Sequence, residues 1–317
     1  MIVTVTCNPT YDKTLEVPGF AAGQTVRART IRRQPAGKGV NVARCLATLG
    51  LSATATGFLG RAELGAYASS FEGSDVAVDF VTVDGATRRN ITVLDPHNDT
   101  HTHIREEGFA VSEDDLADLQ RKLEELLKQG DLVIFAGSLP PGMEPRHLAR
   151  LVELANAAGC YVAVDTSGPA LTAAVDVGCS IAKPNLEELE QLAGESIQGE
   201  DAIMRAARCL ASRIRILLVT LGDDGAWCFT STGAWRARLA VEGVRNTVGA
   251  GDAFLAGFAA GYVDGSPLDA CLRQAVACGS ASTLKEWAGE IDPADVKRLA
   301  KKAKITELEF SQGTGSP

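Results

Sequence analysis

The sequence predicts an α/β protein: a doubly wound, mostly parallel sheet with helices on both faces, plus a small second sheet of polar strands. Three observations lead there. From Ser112 onward, near-continuously apolar strand segments alternate with helical segments, the pattern of βα units around a buried parallel sheet. Nearer the N-terminus, Leu15–Val17, Val26–Gln34 and Thr87–Arg105 alternate polar with apolar residues, as strands with one wet face do. Clusters rich in Gly, Pro, Asn and Asp follow the apolar strands, at the edge where open α/β sheets bind ligands.

Composition fits that class. The chain has 317 residues, 45% hydrophobic and 22% charged, enough to bury a large core. No run of 18 apolar residues is present, so no membrane span is expected. The start, Met1-Ile-Val-Thr-Val-Thr-Cys, lacks a basic leader and reads as a strand. Eight scattered cysteines without a C-x-x-C pair read as free thiols in a reducing cytoplasm. A net charge of −9 argues against general nucleic-acid binding. Against that acidic background, Arg27, Arg29, Arg32, Arg33, Lys38 and Arg44 form a basic island with no acidic residue between them. It reads either as a site for a small anion or as charges guarding a strand edge.

In order, Ile2–Thr6 reads as a buried strand ended by Cys7-Asn8-Pro9, with Asp12 just past its C-terminal end. A Gly-Lys-Gly turn at Gly37-Lys38-Gly39 precedes a helix capped at Gly50. It is not a Walker A loop, because Lys38 is followed by glycine, but it can hold an anion by amides and one ammonium. Ala53–Leu59 is a strand, Glu63–Phe71 a helix and Asp79–Val83 a strand. Thr87–Asp95 and Thr102–Arg105 form a hairpin; His97, His101 and His103 at its tip lack partners for a metal site. Helices are expected over 112–127, 144–157, 169–175, 186–193 and 201–211, and strands over 131–136, 160–165, 180–182 and 215–220. Gly225–Phe229 and Trp235–Leu239 pair as a hairpin, and the remainder is helical over 250–262, 267–284 and 293–301. Residues 1–310 then make one α/β domain, with strands of a lid inserted at about 13–35 and 86–106, and 311–317 as a disordered tail.

The chemistry concentrates in Asn246-Thr247-Val248-Gly249-Ala250-Gly251-Asp252, which opens a helix. Small residues at a helix start leave amides free to hold an anion. An acid at the lip of an anion hole makes sense as a proton acceptor beside developing negative charge. On the donor side, Asn185 and Glu188 share a helix face next to Lys183, a set suited to a triphosphate and its Mg²⁺. Each cluster alone is also ordinary turn chemistry. Gly249, Gly251 and Phe254 do not make a dinucleotide fingerprint.

Two motifs, Ala36-Gly37-Lys38-Gly39-Val40-Asn41-Val42-Ala43 and Asn246–Asp252, stand in order roughly 210 residues apart. With them the chain resembles the ribokinase-like (PfkB) carbohydrate kinase family over nearly its full length. Cys7-Asn8-Pro9-x-x-Asp12, Thr87-Arg88-x-Asn90 and Ala136-Gly137-Ser138-Leu139-Pro140-Pro141-Gly142 resemble its 1-phosphofructokinase and tagatose-6-phosphate kinase branch. The resemblance implies an ATP-dependent kinase of a ketohexose phosphate, fructose 1-phosphate first and tagatose 6-phosphate second, or a 6-phosphofructokinase. It implies a sugar site of Asp12, Gly37, Lys38, Asn41, Arg88, Asn90 and Ser138, with Arg27 and Arg29 entering from the lid. It implies a nucleotide site of Lys183, Asn185, Glu188, Thr220, Gly222, Gly225, Gly279 and Ser282, with Glu188 serving Mg²⁺ through water. Asp252 would be the base, with the anion hole at Gly249, Ala250 and Gly251. Phosphoryl transfer relies on positioning, so a carboxylate of ordinary pKa suffices. The expected partners are a sugar phosphate and ATP, with a homodimer formed through the lid. The other readings are a kinase of an uncharged sugar or nucleoside, which the basic island opposes, and a non-catalytic sugar-phosphate binder, which intact Asp252 opposes. Two departures stand out: the family usually has Gly where Ala36 stands, and Asp where Asn246 stands.

Overall fold

The structure is a computed structural model, and it describes residues 1–309. The tail expected at 311–317 lies outside them. The main sheet is built from strands whose alternate residues feed two cores. In β9 (Leu132–Ala136), Leu132 and Ile134 enter one core while Val133 and Phe135 enter the other. Such two-sided burial explains why these strands read as continuous apolar runs.

The parallel part of the sheet runs in the order β12 (Ile216–Thr220), β11 (Ile181–Ala182), β10 (Tyr161–Asp165), β9, β1 (Ile2–Thr6), β4 (Ala53–Gly60) and β5 (Val76–Val78). β6 (Val81–Val83) also pairs with β4. Beyond β12, the strands β13 (Ala226–Phe229), β14 (Ala234–Arg238) and β15 (Lys304–Leu308) continue it antiparallel. The order reverses at β1, which has β4 on one side and β9 on the other. Ligands bind at such a switch point, outside the carboxyl ends of the strands.

Helices cover both faces. One core takes α1 (Lys38–Thr48), α2 (Leu64–Ser69), α8 (Ala250–Val263), α9 (Leu268–Thr283) and α10 (Pro293–Ala300). The other takes α3 (Glu113–Leu126), α4 (Pro145–Ala157), α5 (Gly168–Asp176), α6 (Leu186–Ala193) and α7 (Glu200–Ala211). The polar strands form a separate four-stranded sheet, in the order β3 (Arg29–Ala36), β2 (Thr10–Glu16), β7 (Arg89–Asp95), β8 (Thr100–Arg105).

Several boundaries differ from the sequence reading. Asp12 does not stand loose after β1; it lies inside β2, opposite Asn90. The stretch read as one strand from Val26 begins at Arg29; of Asp79–Val83 only Val81–Val83 is strand (β6), and β5 (Val76–Val78) precedes it. The helix expected from Glu63 is a short 3-10 turn followed by α2. The sequence does not announce β15, because its Lys304-Ile-Thr-Glu-Leu pattern is that of an edge strand, with no residue fully buried. All eight cysteines are unpaired, and seven are buried. No helix among the described residues is long and apolar enough to cross a membrane.

Candidate active site

The carboxyl ends of β1, β9, β10, β11 and β12 open into one cavity of about 480 Å³, walled opposite by the small sheet. Asn8, Ser138, Asp165, Lys183 and Thr220 reach it from strand ends, and Asp12, Arg88, Asn90 and Arg105 from the small sheet. Lys38 and Asn41 come from the start of α1, and Gly249, Gly251 and Asp252 from the start of α8.

Gly37 precedes α1 with φ 127°, a conformation L side chains rarely adopt, and a Cβ there would come within 2.9 Å of Thr6. Ala36 has a fully buried side chain and an ordinary backbone, so Gly is not needed there, and its carbonyl accepts the Tyr67 hydroxyl at 2.9 Å. At the other motif, Gly249 has φ 84°, and a Cβ would lie 2.9 Å from that of Ala288. The motif's first residue works as an amide. Asn246 Oδ1 accepts from the Val248 N–H at 2.9 Å, and its Nδ2 donates to the Glu286 carbonyl at 2.9 Å. An aspartate could make only the first of these bonds.

Asp252 is buried, and its Oδ2 accepts from Asn41 Nδ2 at 2.8 Å. Burial, reinforced by the Asp165 carboxylate, raises its pKa to about 6, against the opposing pull of Lys38, the Asn41 bond and Lys183. Asp252 thus departs from the ordinary carboxylate range expected from sequence and approaches neutral pH, where general bases work best. The amides of Gly251 and Asp252 have no carbonyl partner among the described residues, so they form the open end of the helix. Ala250 is different: its N–H donates to the Thr247 carbonyl at 3.2 Å.

On one side, Asp12 accepts from Thr10 and, at 3.2 Å, from Asn90 Nδ2; its pKa is raised by burial against these two bonds. Arg88 is clamped by the carbonyls of Asn8 at 3.0 Å and Pro9 at 3.3 Å. Arg105, opposite Asn90 in β8, brings a second guanidinium into the same cavity. On the other side, Asn185 and Glu188 form a reciprocal capping box at the start of α6, with bonds of 2.8 and 2.9 Å. A second, smaller cavity of about 180 Å³ adjoins at Thr220 and Gly251, lined by Gly222, Gly225, Leu239, Ala250, Phe254, Val276, Gly279 and Ser280. Its apolar walls suit a flat heterocycle.

Three residues from the sequence reading stay outside. Arg29 is exposed and pairs with Glu16 at 2.7 Å, and exposed Arg27 lies before β3 begins; neither lines either cavity. The shared face expected from their two-residue spacing needs both in one strand, and β3 begins only at Arg29. Ser282 is buried and its hydroxyl returns to the Gly279 carbonyl at 2.8 Å; Ser280 lines the smaller cavity in its place. Asp165, at the head of a polar cluster on the ligand edge, is given no role by the sequence, and Arg105 is not singled out by it; both line the cavity, as do Asn8, Thr10, Thr166 and Ser167. A carboxylate closing an apolar strand was the available signal for Asp165, whereas the pairing of Arg105 with Asn90 depends on hairpin register.

The model of the pfkB family carbohydrate kinases matches residues 3–295. The 1-phosphofructokinase of Rhodobacter capsulatus is 37% identical over 310 residues, 97% of each chain. The tagatose-6-phosphate kinase of Staphylococcus epidermidis is 29% identical, covering 97% of this chain and all of that one. The crystal structure of phosphofructokinase-2 from Escherichia coli in complex with potassium superposes with a TM-score of 0.90 at 29% identity, covering 95% of this chain and 98% of that one. The chain belongs to the pfkB family of carbohydrate kinases and is a sugar phosphotransferase with the ribokinase-like fold.

Proposed function

We propose that the protein transfers the γ-phosphoryl group of ATP to fructose 1-phosphate, giving fructose 1,6-bisphosphate. The observation that carries this reading is the meeting, at buried Asp252, of a wall bearing Lys38, Arg88 and Arg105 with the open helix end of Gly251 and Asp252. Two guanidiniums and an ammonium facing a sugar-sized cavity suit an acceptor that already carries a phosphate. A neutral sugar leaves that charge without a purpose. The 37% identity to a 1-phosphofructokinase favours fructose 1-phosphate among such acceptors. The similarity to a tagatose-6-phosphate kinase makes tagatose 6-phosphate the second choice.

In this reading Asp12 and Asn90 hold sugar hydroxyls, and Arg88, Arg105 and Lys38 hold the acceptor's phosphate. Asp252 accepts the proton of the attacking primary hydroxyl. The amides of Gly251 and Asp252 receive the charge that builds on the transferring group. Lys183 neutralises the nucleotide phosphates, and the adenine lies in the smaller cavity. Mg²⁺ would neutralise the triphosphate. Glu188 Oε2 is bound to the Asn185 amide, leaving Oε1 to accept from a metal-bound water. Among the described residues no three His, Cys, Asp or Glu side chains cluster as metal ligands, which suits a cation held mainly by phosphates and water. The small sheet acts as a lid that excludes water. Ile31 and Ile104 stand exposed on its strands and support a homodimer through the lid.

ADP release in the presence of fructose 1-phosphate, fructose 6-phosphate, tagatose 6-phosphate or no sugar tests the reading. Fastest turnover with fructose 1-phosphate and little without sugar is expected. Comparable rates on all three esters would remove the narrow assignment.

A further inference from the structure

We propose that Asp165 is a positioning residue that ties the acceptor and donor sides of the site together, holding Lys38 and Lys183 on a single carboxylate oxygen beside Asp252. Its Oδ1 lies 2.8 Å from Lys38 Nζ and 3.3 Å from Lys183 Nζ. Lys38 belongs to the glycine-rich turn on the sugar side and Lys183 follows β11 on the nucleotide side. Two ammonium groups this close repel each other strongly in a buried site unless an anion lies between them. Asp165 is that anion, fully buried at the end of β10.

The arrangement is asymmetric. Lys183 is nearly enclosed, with 5% of its side chain exposed, whereas Lys38 is 41% exposed at the cavity wall. Lys183 is therefore enclosed, while Lys38, held by the same oxygen, still faces the cavity. Asp165 Oδ2 is buried and has no hydrogen-bond partner among the described residues, so the two lysines are the carboxylate's bonded partners. The two lysines hold its pKa below the ordinary range despite burial, and it stays ionised.

That fixed negative charge also faces the base. The groups around Asp252 are Lys38, Asn41 and Cys45 from α1, Asp165 from β10 and Lys183 after β11. Asp165 opposes ionisation of Asp252, and the lysines favour it. Asp165 thus keeps both lysines in place and makes Asp252 a stronger base than the lysines alone would allow. This rests on the reading of Asp252 as the base.

The test compares Asp165→Asn and Asp165→Glu with the unaltered enzyme, using kcat/KM against pH and thermal melting. In Asp165→Asn the acid limb should move at least about half a unit to lower pH, because the charge opposing ionisation is gone. In Asp165→Glu, which keeps the charge but displaces it by a methylene, the limb should stay while kcat falls at least about tenfold. Asp165→Glu also keeps the proposal testable if Asp165→Asn fails to fold. A limb that stays fixed in folded Asp165→Asn, or normal kcat in Asp165→Glu, would overturn Asp165's role alone. An unaltered enzyme with no acid limb would defeat the base assignment and this proposal with it.

Discussion

Asn41 and Asp252, 211 residues apart in sequence, share a hydrogen bond of 2.8 Å between the first turns of α1 and α8. The two glycine-containing motifs thus meet at one side-chain contact. Replacing Asp252 by Asn removes the proton acceptor with little change of shape. Turnover should fall about a hundred- to ten-thousand-fold, with the KM for ATP little changed. Steady-state kinetics with a coupled ADP assay checks this, and near-normal turnover would exclude Asp252 as the base.

The same substitution should stabilise the protein above neutral pH. The pKa of Asp252 is raised from 3.8 to about 6 on folding. Well below pH 3.8 the acid is protonated in both folded and unfolded chains and carries no penalty. As pH rises through 4 to 6, the unfolded chain loses its proton first, and the folded state is left relatively less stable. A two-unit shift corresponds to at most about 3 kcal/mol, fully expressed above pH 6. Asp252→Asn should therefore melt higher than the unaltered chain at pH 8, and the gain should shrink as pH falls to 4 and vanish well below pH 3.8. Equal melting at pH 8 would show that the buried carboxylate carries no such cost.

Activity should respond to the same group in the opposite sense. Only ionised Asp252 can take the proton, so kcat/KM should fall tenfold per unit below about pH 6. A profile flat down to pH 4.5 would place the base elsewhere.

The sheet and the motifs were legible in the sequence for a physical reason. Buried parallel strands must be apolar on both faces, and the turns that approach a phosphate need small residues. Thus β9, β10 and the stretch from Gly249 to Asp252 announce themselves. What was not legible depends on direction and register. Arg27 and Arg105 are equally basic and lie in equally polar stretches, yet only Arg105 lines the cavity, because β8 pairs it opposite Asn90. Ser280 and Ser282 differ only by where α9 turns them. The pKa of Asp252 needs the positions of Asp165, Lys38 and Lys183, which three separate chain segments bring together.

Arg88 offers a test of the acceptor side. Its guanidinium is held by two backbone carbonyls, so it is aimed before any substrate arrives. Arg88→Ala should raise the KM for the sugar phosphate about ten- to a hundredfold, the loss of one charge-assisted contact, and leave the KM for ATP within about threefold. Equal effects on both would remove Arg88 from the acceptor site. Circular dichroism controls for local unfolding where the side chain also packs under Gly108.

Gly249 tests the geometry of the proposed anion hole without altering a charge. Its φ of 84° is strained for alanine, and the added methyl carbon would sit 2.9 Å from the Cβ of Ala288. Relieving that contact must shift the Val248–Gly251 loop, because the Ala288 backbone lies behind its methyl, 3.1 Å from the added carbon. Gly249→Ala should cost about 1–3 kcal/mol of stability. It should also lower kcat more than it raises either KM, because the amides of Gly251 and Asp252 matter most when charge develops on the transferring group. Kinetics on the folded variant, confirmed by its melting curve, separate the two effects. A variant with reduced stability but unchanged kcat would show that the loop position is structural and not part of the catalytic alignment.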